Sequence, residues 1–474
     1  MHMTELTGYH DAGTVTTAAR TLRGSCDGEV LVAGDPRYDA ARLAWNRRVD
    51  PRPAVVVEAD GPADVCAAVI TAREHDLAFA VQATGHGTVL PADGGVLLKT
   101  SRMAAVEVDL DRRIARVGPG ALWADVIAAA APFGLAPISG MTPAVGVTGY
   151  TLGGGTGWLS RTYGFAADSV LRAEVVTADG GLCTASADEH PDLFWALRGG
   201  SGNFGAVTRL EFRLYPVARV YAGIAMFPAE RARATLARYR DWALDEPDAL
   251  HTAVMVMRVP AASQVPDALR GRQVLALRVF ALCDPDDAQR VLAPLLAAAG
   301  PALIDGARTM TYAETGALSG PPPAPTAVRQ HIDLFHERPD AVLDALVEAT
   351  GDGAAVPLTA IELRHWGGAM ARPAPDAGPA GHRDVPFSVI ASAVHDGTHE
   401  PAALDAAVDD LAATLRPAAT GGSFLNFLTD PARTATAFTA ANHRRLAAVK
   451  RTWDPDNTFR HNHNVPPASD GTER

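Results

Sequence analysis

Three glycine clusters offer places where a backbone can close on an anion. They are Ala83-Thr84-Gly85-His86-Gly87-Thr88, Gly153-Gly154-Gly155-Thr156-Gly157 and Gly200-Ser201-Gly202-Asn203-Phe204-Gly205. Glycine admits positive φ and close backbone approach, so successive N–H groups in such turns can form an anion nest. The third cluster spells GxGxxG, but a dinucleotide fingerprint needs a strand before it and a helix after it. Here a helical stretch (LFWALRG) precedes and a strand (AVTRLEF) follows, which argues against a nicotinamide site at Gly200. Further along, Ile361-Glu362-Leu363-Arg364-His365 alternates as a strand, so Glu362 and Arg364 share one face and His365 takes the other. A buried Glu362 with a raised pKa would suit a general base; an ion pair with Arg364 is the competing reading. In His461-Asn462-His463-Asn464 the two histidines have no third ligand nearby, so a metal is not expected.

The elements that must carry these residues alternate between strand and helix from about residue 45. Ala54 to Glu58 reads as a buried strand, and Pro62 as an early helix position followed by an apolar stripe at Val65, Ala68, Val69 and Ala72. Phe79 to Ala83 gives the next strand, completing a β-α-β unit. Val106 and Val108 face Ile114, Arg116 and Gly118 across the turn DLDRR as a hairpin. A helix through ALWADVIAAAAPF stops at Gly134. Strand LRAEVVTA, helix PDLFWALRG and strand AVTRLEFRLYPV lead to Pro216. Residues 217 to about 430 mix Ala-rich amphipathic helices with separate strands and a Pro-rich turn, GPPPAPT, at 320–326. The expected division is 1–216, 217–430, and a C-terminal segment 431–474 returning to the first unit.

Bulk properties narrow the class. A chain of 474 residues, 47% hydrophobic and 20% charged, has the composition of a globular protein with more than one core. Its net charge of −12 excludes a phosphate-backbone binder, so no nucleic-acid partner is expected. Cys26, Cys66, Cys183 and Cys283 are far apart and form no CxxC pair, which suits a reducing compartment. The start, MHMTELTGYHDAG, lacks a signal-peptide core, and no run of apolar residues is long enough to span a bilayer. A cytoplasmic protein without a membrane partner is the expectation.

The order of motifs resembles a known family. Trp45-Asn46, the D-x-R-P-A of Asp50 to Ala54, the Gly85-His86 turn, VGVTGYTLGGGTGWLSRTYGFAADSV (145–170), VVTADG, DLFWALRGGSGNFGAVT and WDPDNTFRHNHNVPP occur in sequence. Together they resemble the berberine-bridge-enzyme-like FAD-linked oxidases, a branch of the vanillyl-alcohol oxidase (PCMH-type) fold. The match is strong over 40–216 and clear over 440–467. It implies an α+β protein: two subdomains holding an extended FAD, and a substrate domain whose antiparallel sheet, flanked by helices, covers the flavin ring.

Carried over residue by residue, the resemblance makes His86 the flavin attachment point. Thr84, Gly85, Gly87, Thr88, Val145, Thr148, Gly149, Gly153, Gly154, Gly155, Gly157, Trp158, Gly205, Val207, Asn462 and Asn464 become cofactor contacts. Val145 falls where relatives control oxygen access. The second attachment position of bicovalent members is Ala167 here, so one covalent bond is the most this chain can form. Gln82-Ala83-Thr84-Gly85 also departs from the Arg and glycine triplet of many members, and Phe438 stands where relatives place a tyrosine base. Glu362, His443, Tyr150 and His365 are then the catalytic candidates, with His382 and Asn426 as further pocket residues. The expected reaction is hydride removal from a small alcohol, sugar or amine of secondary metabolism, with electrons passed to O2. A cyclase or lyase keeping FAD as scaffold, or a binding protein with a dead site, are the alternatives.

Overall fold

The structure, a computed structural model, describes residues 11–263, 265–318, 320 and 324–469. The extreme N-terminus and the three prolines at 321–323 of the Pro-rich turn lie outside the described residues. After helix α1 (Ala12–Ser25), strands β1 (Glu29–Leu31), β2 (Val55–Glu58), β3 (Phe79–Gln82) and β4 (Val96–Lys99) form a sheet of order β1-β2-β4-β3. β2 and β3 both pair parallel with β4, which the chain inserts between them. A short helix, α2 (Tyr38–Ala41), precedes β2; α3 (Pro62–Glu74) crosses from β2 to β3 and buries the predicted stripe completely. β1 pairs antiparallel with β2, and sealing the apolar face is what holds so short a mixed sheet together.

Strands β5 (Val106–Asp109) and β6 (Ile114–Val117) form the expected hairpin, with its register one residue from the predicted one: Val106 faces Val117 and Val108 faces Ala115. Arg113, at φ +53, absorbs the odd residue in the turn. Helix α4 (Trp123–Ala130) ends through a single 3-10 turn at Gly134, which takes the left-handed conformation (φ +68) foreseen for it. A two-residue strand β7 (Leu135–Ala136) follows, then α5 (Val147–Leu152), α6 (Ser160–Tyr163), β8 (Val170–Val176), β9 (Leu182–Ser186), α7 (Pro191–Leu197) and β10 (Ala206–Arg213). β5, β6, β10, β8 and β9 make a five-stranded antiparallel sheet, and β11 (Tyr215–Pro216) pairs β7.

The remaining strands build one large antiparallel sheet: β12 (Arg219–Pro228), β13 (Leu250–Arg258), β14 (Gln273–Ala281), β15 (Ile304–Asp305), β16 (Arg308–Thr311), β17 (Val328–Phe335), β18 (Ala360–His365) and β19 (Phe387–Val394). Its order is β15-β12-β14-β13-β18-β19-β17, with β16 also on β12. Because side chains alternate along a strand, each strand serves two cores. Val254, Val256, Leu275, Leu277, Leu363 and Val389 face helices α8 (Ala232–Trp242), α9 (Pro285–Ala299), α10 (Asp340–Glu348) and α11 (Pro401–Leu415). The opposite face, carrying His251, Arg278, Glu362 and Arg364, turns toward the first two sheets.

After α11 the chain returns to the first half as helix α12 (Ala440–Trp453), packed on α7, and an extended tail. Among the described residues no helix is long and apolar enough to cross a membrane.

Candidate flavin site and its facing sheet

The turn after β3 is shaped by its neighbours. Gly85 has φ +79, and a Cβ there would stand 2.7 Å from the Ala44 Cβ. Trp45 N–H donates to Thr84 O (2.9 Å), and the Trp45 ring stacks on His86 with centroids 4.1 Å apart and planes 12° off parallel. His86 Nδ1 lies 3.0 Å from Thr84 Oγ1, whereas Nε2 is buried with no partner. Burial lowers its pKa to about 4, so the ring is neutral at working pH. Beyond it, Asn462 (φ +74) accepts from Val89 N–H (2.8 Å) and donates to Gly87 O (2.9 Å), clasping the loop from the C-terminal tail. Thr88 N–H closes the turn onto Gly85 O. The amides of Gly85, His86 and Gly87 have no acceptor among the described residues.

Helix α5 begins against this turn: at Gly146 a Cβ would lie 3.5 Å from Ala83 Cβ and 3.7 Å from Thr84 Oγ1. Val145, just before it, is half-buried and passes its carbonyl to Trp123 N–H. Thr148 and Gly149 keep free amides among the described residues, and Thr148 Oγ1 and Thr151 Oγ1 are buried without partners. Gly149 is exposed, with nothing within 4 Å of its Cβ position, although Val147, Thr148, Thr151 and Leu152 around it are buried.

The cluster at 153–157 does something else, which corrects its expected role as a diphosphate nest. Gly154 N–H donates to Thr151 O, Gly155 N–H to Asn426 Oδ1 (3.0 Å) and Gly157 N–H to Ser160 Oγ (2.9 Å), so these donors are spent. A Cβ would fall 2.8 Å from Asn426 at Gly153, 2.4 Å from the Tyr150 ring at Gly155 and 1.8 Å from Ser139 O at Gly157. These glycines are required for close packing. Trp158 stacks on Phe280 of the large sheet (5.4 Å, 15°) and belongs to the interdomain core. Ala167 N–H donates to Gly154 O, so the position without a thiol lies directly under the same loop.

The third cluster has the reversed context read from the sequence: α7 before it and β10 after it. Gly205 (φ +146) presses on Val175 and Val176, and Val207 pairs with Val175 in the ladder. Asn203 is the useful residue there. It donates to Gly200 O and His463 O (2.8 Å each) and accepts from Val465 N–H (2.8 Å), docking the tail so that Asn464 Oδ1 is buried without a partner. Free amides on two adjoining turns, unpartnered hydroxyls, an orphaned amide oxygen and an orphaned imidazole nitrogen fit an extended flavin dinucleotide.

Relatives agree. A family profile described as "FAD binding domain" matches residues 53–186, and one described as "Berberine and berberine like" matches 423–466. The (R)-6-hydroxynicotine oxidase of Paenarthrobacter nicotinovorans is 32% identical over 94% of this chain and 97% of its own length. The chain belongs to the berberine-bridge-enzyme-like FAD-linked oxidoreductases. A crystal structure of 6-hydroxy-D-nicotine oxidase from Arthrobacter nicotinovorans superposes with a TM-score of 0.83 at 28% identity, covering 94% of this chain and 99% of that one. Xylooligosaccharide oxidase from Myceliophthora thermophila shares the fold (TM-score 0.82, 24% identity, 96% and 100% coverage).

In this FAD-linked oxidoreductase the sheet facing the cradle carries one concentrated charge cluster. Arg278 on β14 and Arg364 on β18 flank Ala253 of β13 in register. The small alanine lets both guanidinium groups converge on Glu362, at 2.5 Å from Oε2 and Oε1 respectively. Burial pushes the Glu362 carboxyl up, but Arg364 and Arg278 together pull it below its ordinary value. Of the two readings the sequence left open, the ion pair with Arg364 is the one observed, and Glu362 is a pinned anion, not a base with a raised pKa. His365 does face the other way, as its alternation required, and lies 2.7 Å from Glu246 Oε2 beside Arg161, under the helical layer and away from the flavin. Tyr150 fills the gap between Gly140 and Gly155; its hydroxyl is buried without a partner, and burial raises its pKa well above the ordinary value, which disfavours a phenolate there. His443 sits on the first turn of α12 beside Phe438 (6.3 Å), a helix that packs on α7 and not on the sheet. His382 is tied to Thr436 O, and Asn426 braces Tyr150 O and Gly155. Of the two candidates on the sheet, Glu362 and His365, only Glu362 stands on the face turned toward the cradle.

Sequence reading missed Arg278, Ala253, His251, Trp45, Asn203 and Lys450. Trp45 belongs to a motif whose role lies in the stack with His86, and the alternation of β14 marks Arg278 as an anomaly among apolar neighbours. His251 and His463 lead to a prediction. Burial lowers the pKa of His251 well below its ordinary value and that of His463 to about 4. A folded-state pKa below the unfolded value near 6.5 means the unfolded chain takes up protons that the native state refuses. Stability from these two is complete above pH 6.5 and falls as the solution is acidified. The Glu246–His365 pair, one pKa raised to about 8 and the other depressed to about 3, largely cancels. Urea unfolding should show lower stability at pH 5 than at pH 7, with about 2 kcal/mol of the loss coming from His463. A flat profile would refute the neutral buried histidines.

Proposed function

We propose that this protein is an oxidase that takes a hydride from a carbon bearing an amine nitrogen or a hydroxyl in a small molecule and passes the electrons to O2, with FAD attached through His86. The observation that carries it is the buried, neutral His86 ring, stacked on Trp45 and left with an unpartnered nitrogen at the end of the amide-lined cradle. When bound, FAD supplies the electron-accepting ring; the chain supplies position and electrostatics. Gly85–Gly87 and Thr148–Gly149 would hold its phosphates by backbone donors, and Asn464 Oδ1 and the Thr148 hydroxyl its polar edges. Val145, a half-buried branched side chain just before the Gly146 cap of α5, is the residue we assign to O2 access beside the ring.

The row of the sheet that holds Glu362 also presents Met226, Ala276, Met255 and Ile390, an apolar wall suited to a compact amine or alcohol more than to a long oligosaccharide. This agrees with a 32% identical relative named for a nicotine derivative. Four cysteines with no disulfide suit work in a reducing cytoplasm.

Anaerobic addition of a panel of small amines and alcohols to the yellow protein should bleach the flavin with at least one of them, and admitting air should restore the colour with H2O2 formed. Product appearing while the colour persists would move the assignment to a non-redox cyclase or lyase of this fold.

A further inference from the structure

We infer that the sheet face over the flavin cradle selects substrates bearing an anionic oxygen, a carboxylate or an ionised enol or phenol, through the guanidinium groups of Arg278 and Arg364. The inference rests on reading this face as the place where substrate is oxidised. Each guanidinium carries a fork of N–H donors and no acceptor. Glu362 satisfies Arg278 Nη1 and both Nε and Nη2 of Arg364, and Met141 Sδ adds a weak contact 3.0 Å from Arg278 Nη1. Arg278 Nε is buried with no acceptor, and neither Arg278 Nη2 nor Arg364 Nη1 has a partner among the described residues. Two positive side chains thus share one negative one, leaving net positive charge in a desolvated place, an arrangement that is costly until an anion joins it.

The surroundings offer none. The arginine row continues into Ile224, Ala253 and Ser388, and the neighbouring row into Met226, Ala276, Met255 and Ile390. Glu246, another buried carboxyl, belongs to the opposite face with Arg161 and His365. From other elements Met141 and Phe427 touch the arginines, and neither is charged. His251, on the same face, is fully buried with both ring nitrogens unpartnered and can add a neutral donor. A planar anion would meet the open Nε–Nη2 edge of Arg278 together with Nη1 of Arg364, and an open guanidinium edge is the geometry in which arginine is most selective.

Benzoate titrated into the FAD-loaded protein, followed by the flavin's visible absorbance, tests this against benzamide, a neutral molecule of the same shape. Benzoate should bind at least about tenfold tighter. That preference should vanish in Arg364→Met and grow in Glu362→Gln, where the competing carboxylate is gone. Equal binding of the two probes, no benzoate binding, or a preference surviving in Arg364→Met overturns the inference. If Arg364→Met does not fold, Glu362→Gln decides: weaker benzoate binding overturns the inference and tighter binding supports it. Flavin reduction by a neutral amine in a protein indifferent to benzoate removes the anion selectivity and leaves the oxidase reading standing. Benzoate binding in a protein whose flavin no substrate reduces does the reverse.

Discussion

Acid-denatured wild-type protein should remain yellow, and the His86→Ala variant should release all of its flavin into the supernatant. The His86 ring is held on two sides, by the parallel Trp45 indole 4.1 Å away and by Thr84 Oγ1 at 3.0 Å from Nδ1, so it has one orientation and its free Nε2 is pre-aimed. Burial lowers its pKa to about 4, which keeps an imidazole lone pair available at neutral pH. A covalent link at a preorganised neutral imidazole costs little ordering entropy, and the result is all-or-none. The variant should still bind FAD reversibly, because the amides of residues 85–87, Thr148 and Gly149 are untouched. Absorbance of the acid pellet, normalised to protein, reads the outcome. Flavin that stays with the His86→Ala polypeptide, or leaves the wild type, ends the assignment.

The second large effect is expected far from any reacting atom. Lys450 is completely buried on α12; its ammonium donates to Asn203 O (2.7 Å), Phe459 O (2.9 Å) and Asp454 Oδ2 (2.5 Å). Asp454 in turn accepts Thr458 N–H and Phe459 N–H. This hub fixes the tail that carries Asn462 and Asn464, and Asn462 clasps the loop after His86. Lys450→Met keeps the volume but strands a buried carboxylate and two carbonyls, which should lower stability by about 3–5 kcal/mol. Flavin affinity should fall with it, since the clasp is lost. Replacing Asp454 with leucine in the same protein removes the stranded charge, so the double variant should regain part of the loss. Urea unfolding of the three proteins measures this; a Lys450→Met curve superimposable on wild type would show that the hub bears no load.

Glu362 shows where reading from sequence stops. Its alternation with Leu363 told which residues share its face, and the structure agrees, with Arg364 beside it and His365 behind. Against the lift from burial, its carboxyl is held down by charge, first by Arg364 on its own strand and then by Arg278, which arrives from β14 with Ala253 between the two arginines. The glycines divide in the same way. The need for glycine at 85 and at 153–157 was visible, but the first group frees amides for a ligand and the second spends them on Asn426, Ser160 and Thr151.

Sequence alone determined the β-α-β start, the 106–118 hairpin, the reversed setting of the third glycine cluster, the helix stop at Gly134 and the flavin family. Those depend on periodicity, turn conformation and motif order, which neighbouring residues encode. Only the tertiary structure decided which amides remain free, which carboxyl stays ionised and which histidines are neutral. Those properties are set by desolvation and by charges brought from distant strands, and chain neighbours do not record which partner a buried group will meet.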